Sequence, residues 1–322
     1  MRALLLAASL AFAVIAPNGA LAQKYPDKPV RMIVPFPPGG SIDVIARAVA
    51  QKFQENTGQP MVVDNRGGAA GLIGGDAVAK APGDGYTLLL ASAGQVTIAP
   101  YLYEKLAYDP LNDLVPVTYL VETPVVLFIN ANSPVQNLQE LVALARAKPG
   151  EISVGSTGSG SVTHLALELF AQRYGLKFIH VPYKGAAPAL NDLAAGTVQL
   201  MFTVLPSAKA MLDTGRVRAL AIASSRRTAT MPNLPTFTEA GFPGANVGVW
   251  VGVMSTKGTP APVISQLNSE LNKVMAAPDI VQRMNGLGAD VINTGSVPFG
   301  AMLKEDAATW QRVIRTGNIK PD

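Results

Sequence analysis

The sequence predicts an α/β protein of two lobes, the second inserted between two crossing strands of the first. Three observations lead there. A short apolar strand, a Gly/Pro loop and an amphipathic helix recur along the chain, which is the alternation of βαβ units on a mainly parallel sheet. The 322 residues are 48% hydrophobic and only 15% charged, enough apolar material for a large packed core and too little charge for a disordered chain. Two long apolar stretches, 115–130 and 247–254, bracket the middle third of the chain. They divide it into one lobe of residues 23–123 plus 249–322 and another of residues 124–248, separated near Pro124 and Gly248.

The first 22 residues stand apart from the fold. Met1-Arg2, an apolar run from Ala3 to Ala16, and Ala20-Leu21-Ala22 after Pro17 read as an export signal cleaved after Ala22. The apolar run stops short of the roughly 20 residues a bilayer span requires. With no Cys to carry a lipid, the mature chain is expected free in the periplasm, not membrane-anchored and monomeric.

Along the mature chain, Val30 to Val34 reads as a strand, and Ile42, Ile45, Ala46, Val49 and Phe53 fall on one helical face. Strands at 61–64 and 86–91 flank a Gly-rich loop, 67–71, and a short helix over 76–80. Two strand-like runs within 115–130 surround Glu122-Thr123-Pro124. A helix face follows at Leu138, Leu141, Val142 and Ala145, then a strand at 152–155 and a helix at 163–174. Further strands are expected at 178–181, 198–203, 217–223 and 247–254. A last helix opens at Pro260 to Pro262 with Val263, Leu267, Leu271 and Val274 in register.

Composition excludes several chemistries. The chain has no Cys and two His, His164 and His180, so disulfides, thiol nucleophiles, thiolate metal sites and three-His zinc sites are impossible. The formal charge of +4 is dispersed, unlike a nucleic-acid surface. The sequence contains no Gly-x-Ser-x-Gly elbow, Ser-x-x-Lys, phosphate loop or dinucleotide fingerprint, and its acids are scattered. No metal and no cofactor are expected. His180, within an apolar strand, reads as a packed core or edge residue, and Trp250 as core or hinge packing.

Two loops share one design: strand, small-residue loop, amphipathic helix. They are Pro35-Phe36-Pro37-Pro38-Gly39-Gly40-Ser41-Ile42-Asp43 and Gly155-Ser156-Thr157-Gly158-Ser159-Gly160-Ser161-Val162-Thr163-His164. Glycine admits a ligand close to the backbone, and the unpaired first-turn amides of the following helix offer an anion site without Lys or Arg. The plainer reading makes each a tight turn with Ser41 or Asp43 and Thr163 as caps. Two such loops on facing lobes favour a ligand gripped at both ends.

Beyond these loops, Tyr25-Pro26-Asp27-Lys28-Pro29, Asp64-Asn65-Arg66-Gly67-Gly68-Ala69-Ala70-Gly71, Asp84-Gly85-Tyr86-Thr87-Leu88, Tyr108-Asp109-Pro110, His164-Leu165-Ala166 and Val181-Pro182-Tyr183-Lys184-Gly185 occur in this order. With them the chain, from Tyr25 to about Ile314, resembles the Bug-type extracytoplasmic solute receptors of tripartite tricarboxylate transporters. The resemblance implies a periplasmic-binding-protein fold of the Venus-flytrap, type II-like kind, with a ligand between the lobes delivered to a membrane permease.

Carried over by position, it implies ligand loops at Phe36, Gly39, Gly40, Ser41 and Asp43, and at Ser156, Thr157, Gly158, Ser159, Ser161 and His164. Ser92, Gly94, Gln95, Tyr183, Lys184 and Gly185 would line the walls, and Thr203 would close the cleft. For Lys184 the plainer reading, a solvated or salt-bridged side chain fixing its turn, stands ahead of direct contact. Many relatives carry an acid where Gln199 stands and often at the Thr203 position. Their absence leaves anion binding intact and argues against an amine-bearing ligand. The expected function is therefore capture of a small organic mono- or dicarboxylate for transport. The alternatives are a receptor for a membrane sensor and a secreted hydrolase using Ser159 or Ser161 with His164.

Overall fold

The computed structural model describes residues 25–224 and 226–321, so the expected export signal lies outside the described residues. The chain opens with β1 (Val30–Val34), buried at every position but Arg31, as a strand between two parallel neighbours must be. α1 (Ser41–Thr57) buries Ile45, Ala46, Val49 and Phe53 and ends at Gly58, whose φ of 74° suits a left-handed cap. β2 (Met61–Asn65), a 3-10 turn at Ala69–Gly71, α2 (Leu72–Ala79) and β3 (Thr87–Ser92) follow. A π turn, Gly94–Ile98, then leads into the short α3 (Ala99–Leu102).

β4 (Leu114–Asn130) is one continuous strand of 17 residues where the sequence suggests two. Glu122-Thr123-Pro124 reads as a break, yet Thr123 and Pro124 stay in register with Val249 and Gly248. Beyond Pro124 the strand changes partners, pairing with the second lobe's strands from Val125 onward. On the division expected from the sequence, the second lobe comprises α4 (Leu138–Ala147), β5 (Ser153–Ser156), α5 (Val162–Tyr174), β6 (Ile179–Pro182), α6 (Ala186–Ala195), β7 (Leu200–Val204), α7 (Leu205–Asp213) and β8 (Val217–Ile222). β9 (Gly248–Thr256) returns to the first lobe, followed by α8 (Ala261–Ala276), α9 (Pro278–Gly286), β10 (Asp290–Thr294) and α10 (Ser296–Gly317).

The strand order is β2-β1-β3-β9-β4-β7-β5-β6, with β8 and β10 both pairing β4. β1, β2 and β3 are mutually parallel, as are β5, β6 and β7, while β9 and β4 run antiparallel to their neighbours in this path. One apolar cluster lies wholly in the first lobe, from Phe53 and Leu90 to Leu271 and Met284. Another lies in the second, around Phe128, Leu193 and Met201. A third runs through both and includes Trp250, so that residue is core packing at the crossing strands.

The helix at Pro260 is not the last. α10 buries Phe299, Leu303, Ala307, Trp310, Val313 and Ile314. It does more than return to the first lobe, because Gln172 Nε2 on α5 donates to the Val313 carbonyl at 3.1 Å.

Candidate ligand-binding site

The candidate residues gather at the carboxyl ends of the parallel strands, the usual ligand position in open α/β sheets. Phe36, Gly39, Gly40 and Ser41 form the turn between β1 and α1, and residues 37–41 are exposed. Gly39 takes φ +88°, which side chains rarely adopt. The α1 ladder starts with the Val44 N–H on the Gly40 carbonyl (3.0 Å), placing the amides of Ser41, Ile42 and Asp43 ahead of it at the positive end of the helix.

The Asp43 carboxylate turns inward. It is 3% exposed and accepts from the Gly39 N–H, Arg47 Nε and Asn65 Nδ2, each at 2.9 Å. Asn65 Nδ2 also donates to the Phe36 carbonyl at 3.1 Å, so both ends of the turn are tied to β2. The Arg47 guanidinium, with the Gly39 amide and Asn65, holds the Asp43 carboxyl down at about 2 despite burial.

Neighbouring loops interlock with this turn. A Cβ on Gly71 would stand 3.3 Å from Pro35 Cβ, and one on Gly74 2.8 Å from Pro35 Cβ and 3.0 Å from its Cα. Ser92 and Gln95 are buried and engage each other, Ser92 Oγ lying 2.9 Å from the Gln95 amide group. Thr97, one turn on, donates to Asp306 Oδ2 at 2.6 Å, and Trp250 Nε1 donates to the same oxygen at 2.9 Å.

In the second lobe the 156–164 loop spends many of its own donors. The Thr157 N–H bonds Thr163 Oγ1 (2.9 Å), the Gly158 N–H Ser156 Oγ (3.2 Å) and the Gly160 N–H His164 Nδ1 (3.0 Å). Ser161 Oγ donates to the Gly158 carbonyl at 2.7 Å and accepts the His164 N–H at 3.3 Å. Ser161 is therefore the cap of α5, and Thr163, read from sequence as that cap, instead reaches back to Thr157. Gly158 and Gly160 take φ of +136° and +72°.

Beneath this loop the imidazoles of His164 and His180 stack, centroids 3.7 Å apart and planes at 4°. His180 Nε2 lies 2.7 Å from Ser156 Oγ, and His164 Nε2 lies 3.9 Å from Glu168 Oε1. On the next turn, Tyr183 Oη donates to Asp192 at 2.6 Å, and burial with that carboxylate pushes the phenol up to about 12. Lys184 is exposed, and Gly185, at φ +104°, caps α6. Thr203 is buried near the carboxyl end of β7.

The two lobes meet at these ends. A Cβ on Gly160 would lie 2.9 Å from Leu102 Cδ2, so the helix after β3 abuts the loop after β5. Among the described residues, no group of three or more His, Asp or Glu could hold a metal ion. No helix there is long and apolar enough to cross a membrane.

Residues 45–319 match the family described as "Tripartite tricarboxylate transporter family receptor". The chain belongs to this receptor family. Among curated relatives, BugT of Bordetella pertussis is 38% identical over 300 residues, covering 93% of this chain and 92% of its own. A Rhodopseudomonas palustris protein solved with adipate is 34% identical, with a TM-score of 0.77 and coverage of 92% of this chain and 100% of that one. MatC from the same organism, solved with bound malate, is 33% identical, with a TM-score of 0.72 and coverage of 90% and 100%. The fold is thus the two-lobed periplasmic-binding-protein fold, and the family is one of solute-binding receptors.

Seen as a member of this family, the chain places most of the expected residues at one set of strand ends and two outside the roles read from sequence. Gln199 sits at the far end of β7, its Oε1 accepting the Ser153 N–H and Oγ–H at 2.7 Å, roughly 10 Å along the strand from Ser156. Gln199 thus lies at the opposite end of β7 from the candidate loop. His180 does lie on an edge strand, but it also reaches Ser156 and His164 of the candidate loop. Its place in an apolar run hid this, since nothing local to β6 predicts a partner at Ser156 or on α5.

Proposed function

We propose that this receptor captures a small organic mono- or dicarboxylate between its lobes in the periplasm and delivers it to a membrane permease of the tripartite tricarboxylate type. The observation that carries the reading is the approach of the loop ahead of α5 to the strand-end elements of the first lobe, marked by Leu102 of α3 against Gly160. Relatives solved with adipate and with malate, both dicarboxylates, support the ligand class. The ligand shell is assigned to Phe36, Gly39, Gly40, Ser41, Gly94, the 156–161 loop, His164, Tyr183, Lys184, Gly185 and Thr203. Asp43, Ser92 and Gln95 act behind it as braces. One carboxylate rests on the first-turn amides at Ser41 to Asp43, and the other end of the ligand meets the second-lobe loop, with water completing bonds that loop cannot supply.

Micromolar affinity needs about 8 kcal/mol, and a hydrogen bond to a charged group adds about 1.5 to 3 kcal/mol, before association costs of about 4 kcal/mol or more. A ligand held at both ends fits that arithmetic better than one held at a single helix start. Closure swings residues 124–248 against 23–123 plus 249–322 about the two crossing strands. No covalent step and no cofactor enter this mechanism. A hydrolase is disfavoured by the loop's own bonds: the Ser161 hydroxyl is spent on the Gly158 carbonyl, and the His164 Nδ1 lone pair on the Gly160 N–H.

The test is mass spectrometry of the natively purified protein, followed by calorimetry with adipate and malate. A copurified carboxylate, or saturable binding with compaction in small-angle scattering, supports the reading. Binding of neither probe together with ester hydrolysis lost in His164→Ala would overturn it. Delivery to a permease, against signalling to a sensor, is tested by uptake of the bound solute in a strain lacking the receptor.

A further inference from the structure

We propose that His180 is a positioning residue for the second-lobe ligand loop, acting on the bound carboxylate through Ser156 and His164 without touching it. The inference rests on the carboxylate reading above and adds to it a residue on which the loop's shape depends. His180 makes two contacts of different kinds with two ends of one loop. Its Nε2 lies 2.7 Å from Ser156 Oγ, the hydroxyl that also receives the Gly158 N–H at 3.2 Å. Its ring covers the His164 ring, with centroids 3.7 Å apart and planes at 4°. His164 in turn accepts the Gly160 N–H on Nδ1 at 3.0 Å, which assigns its neutral form the proton on Nε2, toward Glu168 3.9 Å away.

The chain of contacts thus joins β6 to both left-handed glycines of the loop, Gly158 at φ +136° and Gly160 at φ +72°. Such conformations persist only where surroundings over-determine them. An imidazole at 180 supplies both a flat ring for stacking and a ring nitrogen for Ser156. Phe supplies only the ring and Asn only the polar group.

Backbone hydrogen exchange at Gly158 and Gly160, followed by NMR, and adipate and malate titrations by calorimetry test this in the full mature chain. His180→Ala is expected to speed exchange at both glycines and weaken probe binding by about tenfold, the scale of one lost hydrogen bond. His180→Phe, keeping the stack, should restore slow exchange at Gly160 but not at Gly158. Ser156→Ala, which cuts the bond from the other side, should speed Gly158 exchange alone and serves where His180→Ala folds poorly. Exchange within twofold of wild type at both glycines in His180→Ala, or equal loss at Gly160 in the Phe and Ala variants, would overturn the assignment. Were wild type to bind neither probe, the carboxylate reading would fall, and the exchange data alone would still decide whether His180 shapes the loop.

Discussion

Leu102 and Gly160 form a contact across the two lobes, with Leu102 Cδ2 2.9 Å from where a Cβ on Gly160 would sit. The leucine ends the short helix that follows β3, and the glycine lies in the loop that follows β5. The contact therefore sets how closely the two strand ends approach. It also explains glycine at this position twice over, since φ +72° disfavours a side chain and Leu102 occupies its space.

Gly160→Ala is expected to cost about 1–2 kcal/mol from the left-handed backbone, seen as a lowered Tm in calorimetry. Because the obstructing atoms are the far end of a leucine, Leu102→Ala in the same chain should recover only the packing part. A double-mutant cycle that shows full recovery would assign the cost to contact alone.

Asp43→Ala removes the partner of Gly39, Arg47 and Asn65 and should destabilise the protein by about 1–3 kcal/mol, with weaker carboxylate binding as the first-lobe turn loosens. The acid limb carries the same signature. The folded Asp43 carboxyl is held at about 2, below its ordinary 3.8, so its contribution is present above pH 4 and is lost as pH falls from 3.8 toward 2. Acid unfolding of the Asp43→Asn variant should show a shallower loss over that window than wild type.

Asp306 behaves in the opposite sense. Burial pushes its carboxyl up, and the Thr97 hydroxyl and Trp250 indole offset this only in part. A raised acid favours the folded state below its unfolded pKa, and that advantage is lost as pH rises through the folded value. Asp306→Asn, whose neutral oxygen accepts the same two bonds, should raise the Tm at pH 7 and lose that advantage in acid.

Gly74→Ala drives a Cβ to 2.8 Å from Pro35 Cβ and 3.0 Å from its Cα, a clash with backbone that rotation of a side chain cannot relieve. A loss of about 1–3 kcal/mol is expected from overpacking. Because Pro35 begins the turn proposed to hold the carboxylate, calorimetric titration should also show weaker binding.

Much of the fold is legible locally. β1 coincides with the apolar run Val30 to Val34, and α1 with the spacing of Ile45, Ala46, Val49 and Phe53. α10 is written as plainly, in Phe299, Leu303, Ala307, Trp310 and Ile314, and Pro298 sits in its first turn. α7, absent from the sequence expectations, carries Pro206 at its start, where a proline breaks nothing. The continuity of β4 through Pro124 is not legible, because the partner that accommodates the proline, Gly248, lies more than a hundred residues away.

The α/β units, the two loops of small residues ahead of helices, and the exclusion of thiol and three-His chemistry are all readable from the chain alone. These are properties of spacing and composition, which act over one turn or one strand. Three contacts depend on the assembled sheet: Asp43 bracing Gly39 against Asn65, His180 stacked on His164, and Gln199 bonded to Ser153. Those outcomes follow from strand order. Placing β5 between β7 and β6 brings residues far apart in the chain to one sheet end, and a hydrogen bond between such residues leaves no period in the sequence to read.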